Sequence, residues 1–192
     1  MEENFDALEV IAQTRGKVNL DSAPTPNNIF LIWGWPTVIS FIAMFALWRM
    51  LHQAWCFFTW VLIPLVGVPL MIRQSRNERN RTHIRTHDQK ILMDYWIFAG
   101  AMCGIGGFAL GFSSLSEICF YPLISILIGI GGFITGEVLR FKPMIVCALA
   151  GAAIGLGSFF LQGEIWSWQI LAVALAAFVS LIIPGYLFKK RQ

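Results

Sequence analysis

Long apolar stretches separated by short polar ones run along most of the chain. A helix needs about 20 apolar residues to cross the hydrocarbon core of a bilayer. Six stretches of roughly that length are Ile29 to Trp48, Ala54 to Ile72, Ile91 to Phe112, Ile118 to Leu139, Met144 to Leu161 and Trp166 to Phe188. The pattern predicts an all-α polytopic membrane bundle with six transmembrane helices over residues 28–192.

A different pattern precedes the first span. Within residues 1–27, apolar residues at helical spacing alternate with acidic ones: Phe5, Leu8 and Ile11 among Glu2, Glu3, Asp6 and Glu9. This spacing is typical of a short amphipathic helix, and Pro24 and Pro26 end it. We therefore expect residues 1–27 to form a cytoplasmic amphipathic helix and linker.

The basic residues give the expected orientation. In a six-span arrangement, all of the 14 Lys and Arg residues except Arg49 share one side with both termini. Short basic loops stay in the cytoplasm, so both termini should be cytoplasmic. The cytoplasmic loop 73–90 is the most basic segment, and it is expected to attract anionic lipid headgroups or a partner protein through Arg73, Arg76, Arg79, Arg81, Arg85 and Lys90.

Composition narrows the function classes. The chain of 192 residues is 57% hydrophobic and 13% charged, with a net charge of +3 and a mean hydropathy of +0.66. These values argue against a water-soluble enzyme, because soluble domains carry about twice that charged fraction. A basic loop without stacking aromatics argues against nucleic-acid binding. No catalytic or cofactor-binding signature is found, so we expect a non-enzymatic protein without cofactor or metal.

Glycines at spacings of three and four recur in the third to fifth spans. Small residues at this spacing let transmembrane helices approach closely. The sequence from Gly104 to Gly111 resembles that from Gly129 to Gly136, and the theme continues in the fifth span. We therefore predict helix packing at Gly104, Gly107, Gly111, Gly129, Gly132, Gly136, Gly151 and Gly155.

Prolines and in-span acidic residues suggest a second interpretation. Pro64 and Pro69 flank a glycine in the second span, where they predict either a simple kink or a broken helix like those that line binding sites in many transporters. Asp94 and Glu137 lie toward the cytoplasmic ends of their spans. They either pair with Lys90 and Arg140 at the interface or form an ion path, as in a small channel or transporter subunit.

Histidines and cysteines give weaker evidence for a functional site. His83, His87 and Asp88 could hold a metal or serve a lipid-modifying enzyme, but they are few, and a solvated basic loop explains them more simply. Cys56 and Cys119 both fall near outer ends. Whether they pair stays open.

The order of these elements resembles a group of small bacterial multi-span membrane proteins that have no assigned activity. The likeness is carried by the N-terminal amphipathic pattern, the aromatic start of the first span from Phe30 to Trp35, the basic loop and the sequence Asp94-Tyr95-Trp96. It implies a protein of the bacterial inner membrane. From the residues we expect a structural, regulatory or accessory bundle that forms a homo-oligomer or docks a partner through its cytoplasmic face.

Overall fold

The computed structural model describes residues 26–52, 54–78, 87–111 and 116–191, and over these it is helical without strands. Its helices are α1 (Pro26–Leu51), α2 (Leu62–Glu78), α3 (His87–Gly111), α4 (Ser116–Val138), α5 (Lys142–Ser158), α6 (Trp168–Ala177) and α7 (Ile183–Arg191). A 3₁₀ segment, Ala54–Val61, leads into α2, and a 3₁₀ turn, Gly163–Ile165, precedes α6. The all-α prediction is confirmed. The amphipathic helix predicted before Pro26 lies outside the described residues.

Each of the six predicted apolar stretches falls on a helix. Three helical segments are long and apolar enough to cross a membrane: Ile29–Leu51, Phe120–Val138 and Trp168–Lys190. Three shorter apolar segments, Phe58–Gln74, Ile91–Ile105 and Lys142–Ser158, coincide with the other three stretches. Six helices therefore fit the sequence pattern, and half of them have the length of a full crossing.

The core lies between α1, α4, α5 and the continuous α6–α7 helix. One buried cluster joins the start of α1 to the start of α5 and to the junction of α6 and α7, through Phe30, Val38, Phe141, Met144, Ala177, Leu181 and Ile182. A second cluster lies further along α1 and joins it to the first half of α4 and to α6, through Phe41, Met44, Tyr121, Ile124, Ile170, Val173 and Ala174. Both clusters are almost entirely hydrocarbon and aromatic, so these four elements form one packed unit.

Helices α4 and α5 approach each other most closely, and glycine makes this possible. A Cβ at Gly129 would lie 2.7 Å from the Cβ of Ala152, and one at Gly155 would lie 2.8 Å from the Cβ of Ser125. Each distance is too short for two carbon atoms in van der Waals contact. The two helices therefore pack backbone against small side chain, as glycine spacing predicts for membrane helices.

The turn between α4 and α5 places a non-glycine residue in the left-handed region. Arg140 has φ of +49°. The Phe141 N–H donates to the Gly136 carbonyl at 2.9 Å, and the Arg140 N–H donates to the Glu137 carbonyl at 3.1 Å. This is the Schellman pattern that ends many helices, usually with glycine at the left-handed position. It holds α4 and α5 as a tight antiparallel pair.

A π-helical turn, Phe178–Ile182, connects α6 to α7. Pro184 lies just beyond it and has no N–H to donate to the carbonyl of Ser180, four residues earlier. Widening the helix to a π turn is one way to accommodate such a loss. The turn is buried at Ser180, Leu181 and Ile182, so it lies at the centre of the packed unit.

The predicted break at Pro64 and Pro69 takes another form. Pro64 is the third residue of α2, in the first turn of an α-helix, where proline is tolerated. Pro69 lies inside α2. The change of helix type comes earlier, at the boundary between Val61 and Leu62.

Candidate functional site

Helices α2 and α3 expose apolar side chains over most of their surface. The exposed large residues are Leu62, Leu65, Val66, Val68, Leu70, Met71 and Ile72 on α2, and Ile91, Met93, Ile97, Phe98, Met102 and Ile105 on α3. A monomer in water rarely exposes an apolar patch of more than a few hundred Å². These two helices therefore form an outer layer suited to an apolar environment or to a partner.

One face of α3 is attached to α4 by two aromatic side chains. The Tyr95 hydroxyl donates to the Leu127 carbonyl at 3.0 Å, and the Trp96 indole N–H donates to the Thr135 hydroxyl at 3.3 Å. Both rings lie against Gly131, where a Cβ would come within 2.9 Å of either. These contacts hold Tyr95 and Trp96 against α4.

Another part of α3 carries glycines without neighbours. Among the described residues, nothing lies within 4 Å of a Cβ placed at Gly100 or Gly104. The spacing of four puts both on one face of the helix. Gly104, which the sequence predicts to be a packing residue, thus packs against nothing in this part of the chain. The surroundings of Gly107 and Gly111 fall outside the description.

The other predicted packing glycines lie in the α4–α5 pair. A Cβ at Gly132 would lie 3.0 Å from the Ala148 Cβ, and one at Gly136 would lie 2.8 Å from the Ile145 side chain. Gly151 abuts the side chain of Ser180 and lies near the Ala176 carbonyl. With Gly129 and Gly155, they line the contacts of α4 with α5 and of α5 with the π turn.

The residues suggested for an ion path lie on three different helices. Pro64 and Pro69 lie on α2, which packs mainly on α1, whereas Asp94 lies on α3, which packs mainly on α4. Glu137 lies near the end of α4. Both acidic side chains are exposed, and the Lys90 side chain is outside the described set.

Two buried polar side chains in the core have no signature in the sequence. Gln169, at the start of α6, is fully buried, and its amide nitrogen donates to the Leu161 carbonyl at 2.6 Å. This bond ties the α5–α6 connection to α6. Ser180 is also fully buried, and its hydroxyl has no hydrogen-bond partner in the described structure. No spacing rule distinguishes these two residues from other polar residues in an apolar stretch.

The predicted basic and metal-binding residues are only partly described. Arg73 and Arg76 are exposed at the end of α2, while Arg79, Arg81, Arg85 and His83 lie outside the described residues. His87 begins α3. Cys56 is buried and Cys103 and Cys147 are partly buried, all as free thiols, and Cys119 has no described side chain. Among the described side chains there is no group of three or more His, Cys, Asp or Glu that could hold a metal ion.

An apolar groove of about 560 Å³ separates α1 from α2 on one side of their contact. It is lined by Leu31, Ile32, Trp35, Pro36, Ile39 and Ser40 of α1 and by Leu62, Val66 and Leu70 of α2. Apart from the Ser40 hydroxyl and the Trp35 indole N–H, this lining offers hydrocarbon alone. It suits an apolar chain better than a polar ligand.

The described residues thus assemble an apolar outer layer, an apolar groove and two exposed arginines at one end of α2. Surfaces of this kind bind apolar chains, helices or anionic groups. The chain matches no protein-family model, no curated protein sequence and no solved structure, so its function is argued from these surfaces alone.

Proposed function

We propose that this chain is a non-catalytic integral membrane protein that associates with a second membrane helix through α3. In this proposal it crosses the bacterial inner membrane six times with both termini in the cytoplasm. The partner helix comes from another copy of the chain or from a different membrane protein. Gly100 and Gly104 carry the proposal, because they form a small-residue face that nothing described in the chain covers.

The apolar surface supports the membrane location. Exposed large hydrophobic side chains occur on every long helix, for example Ile39 at 58%, Val146 at 66% and Leu175 at 53% exposure. Burying such side chains in a bilayer removes them from water, which is favourable by about 25 cal/mol per Å². Three helical segments are long and apolar enough to cross a membrane, and three shorter apolar segments accompany them. The distribution of basic residues favours cytoplasmic termini.

The contrast between glycines supports the association. In the α4–α5 pair, an added Cβ would come within 3.0 Å of the opposite helix at Gly129, Gly132, Gly136 and Gly155, whereas Gly157 of α5 has no described neighbour within 4 Å. Glycine is otherwise unfavourable within a helix by about 1 kcal/mol relative to alanine. Two uncovered glycines on the same face of α3 are therefore best explained by a helix that packs there in the assembled protein.

The cytoplasmic face supplies a second means of docking. Arg73 and Arg76 are exposed where α2 ends, and the loop 73–90 continues with further basic residues. The acidic segment 1–27 has the opposite charge. We propose that these segments contact each other or a partner at the membrane surface.

Replacing the α3 glycines tests the association. Gly100→Ile and Gly104→Ile together should shift the protein from its assembled form to monomer on crosslinking in native membranes, because branched side chains would keep a partner helix at a distance. Gly157→Ile is the matched control, since Gly157 is also without a neighbour within 4 Å but lies on α5. Unchanged crosslinking of the double variant would contradict the proposal. Mass identification of the crosslinked product tells self-association from a different partner.

A further inference from the structure

We propose that the groove between α1 and α2 binds one acyl chain of an anionic glycerophospholipid whose phosphate is held by Arg73. This site rests on the membrane location proposed above and is independent of the association through α3. Its elements are an apolar groove, a length that fits one lipid leaflet and exposed arginines at one end.

The length of the groove fits a single leaflet. On α1 its lining runs from Leu31 to Ser40, which at 1.5 Å per residue is about 13 Å. One leaflet of the bilayer contributes about 15 Å to a hydrocarbon core of about 30 Å. An acyl chain lying in the groove would therefore be accommodated from the headgroup level to near the bilayer centre.

Among the described residues, two arginines lie close to one end of the groove. Gly67 of α2 lies against Trp33 near the start of α1, whereas Ile63 packs in the cluster of Phe41 and Met44 further along α1. The two helices therefore run antiparallel, and the end of α2 lies beside the start of α1. Leu62, Val66 and Leu70 line the groove from α2 at intervals of four. Arg73 follows Leu70 by three residues, which places it on the same helix face one turn further on. The groove therefore leads to a guanidinium group.

The chemistry of that end selects an anionic headgroup. A guanidinium presents paired N–H donors that match the geometry of phosphate oxygens. Arg76 lies one further turn along α2 and is also exposed, which adds positive charge at the same level. Trp35 lines the groove and is 40% exposed, and tryptophan favours the boundary between headgroups and acyl chains.

The two helices are in close contact beside the groove. A Cβ at Gly67 would lie 2.8 Å from the ring of Trp33, so the two helices touch there without a side chain from α2 between them. The groove is the space that remains on the neighbouring face, between Pro36 of α1 and the three lining residues of α2. The volume of about 560 Å³ is thus bounded by a fixed helix contact.

Lipid retention from mixed bilayers tests the site. The full chain is reconstituted into nanodiscs of phosphatidylglycerol and phosphatidylcholine and transferred to mild detergent, and the retained lipids are quantified by mass spectrometry. Phosphatidylglycerol should be enriched over phosphatidylcholine. Arg73→Gln should lower that enrichment about fivefold, the factor expected for one basic residue at an anionic surface. Arg49→Gln, at the far end of α1, should leave the enrichment unchanged.

A second pair of variants tests the groove itself. Val66 and Val68 are nearly equally exposed on α2, at 42% and 43%, but only Val66 lines the groove. Val66→Trp should reduce retention of both lipids by filling the space, whereas Val68→Trp should not. Melting temperatures of all variants are compared, so that a drop in retention without unfolding is attributed to the site.

Defined results would overturn the proposal. If phosphatidylglycerol is enriched equally in Arg73→Gln and Arg49→Gln, Arg73 does not hold the lipid phosphate. If Val66→Trp and Val68→Trp retain equal amounts of lipid, the groove does not bind an acyl chain. Increased retention after deletion of residues 2–20 would show that the N-terminal segment occupies the groove instead. Release of the chain from membranes by alkaline carbonate would instead refute the membrane location, which separates failure of the proposed function from failure of the lipid site.

Discussion

The α4–α5 pair and α3 contain similar glycine patterns in entirely different surroundings. In the pair, Gly129 and Gly155 lie within van der Waals distance of Ala152 and Ser125. On α3, a Cβ at Gly100 or Gly104 would meet no described atom within 4 Å, and the helix is held to α4 by Tyr95 and Trp96. Similar spacing thus marks a filled interface in one region and an uncovered surface in the other. A glycine motif indicates a capacity for close approach, and only the structure shows whether the chain itself uses it.

The sharpest test of this contrast is to enlarge a glycine in each region. Gly151→Leu should destabilise the protein by about 3 kcal/mol or more, because overpacking a filled contact displaces backbone as well as side chains. Gly104→Leu should change the free energy of unfolding little, since its surroundings are open. Unfolding in mixed detergent micelles measures both. Equal destabilisation by the two substitutions would show that the regions do not differ.

A smaller effect is expected at the attachment of α3. Trp96→Phe keeps the ring against Gly131 and removes the indole N–H that donates to Thr135. The loss should cost about 0.5–1.5 kcal/mol, the usual net value of one hydrogen bond. Hydrogen exchange followed by mass spectrometry should show faster exchange in α3 with little change in α5. Uniform acceleration over both helices would mean that α3 belongs to the packed core.

The smallest expected effect concerns the core hydroxyl without a partner. Ser180→Ala removes a buried oxygen that lies against Gly151 and makes no hydrogen bond in the described structure. The variant should be as stable as the parent or more stable by about 1 kcal/mol, because an unsatisfied buried polar group carries a desolvation cost. Thermal unfolding in detergent is the measurement. A clear loss of stability would indicate that Ser180 has a bonding role.

Sequence patterns predicted where the helices lie better than which helices contact each other. Apolar length alone located all six helical stretches, because burial of a long apolar segment leaves few alternatives to helix. Gly104 shows the limit, since its local sequence resembles that of Gly129 while its surroundings do not. The spacing of residues indicates which of them share a helix face, but it does not indicate which helix packs on that face.

Other features were missed because their causes are tertiary. The ends of the fourth and fifth apolar stretches locate the turn between α4 and α5. Its left-handed residue is Arg140 instead of the usual glycine, so only the form of the turn has no sequence signal. The groove between α1 and α2 could not be predicted from the sequence, because its lining residues are ordinary apolar side chains from two helices. Arg73 was recognised as a lipid-attracting residue, but its position in line with Leu70 emerged only from the helix register of α2.

The π turn between α6 and α7 has a consequence for the register of the whole helix. It inserts one residue relative to a regular α-helix, so the faces on either side of Phe178–Ile182 are offset by about 100°, the rotation of a single residue. Deletion of one residue there would swing every side chain of α7 around the axis and carry Gly185 away from Leu31, which it now faces. The length of this segment, more than its composition, aligns the last helix with the first.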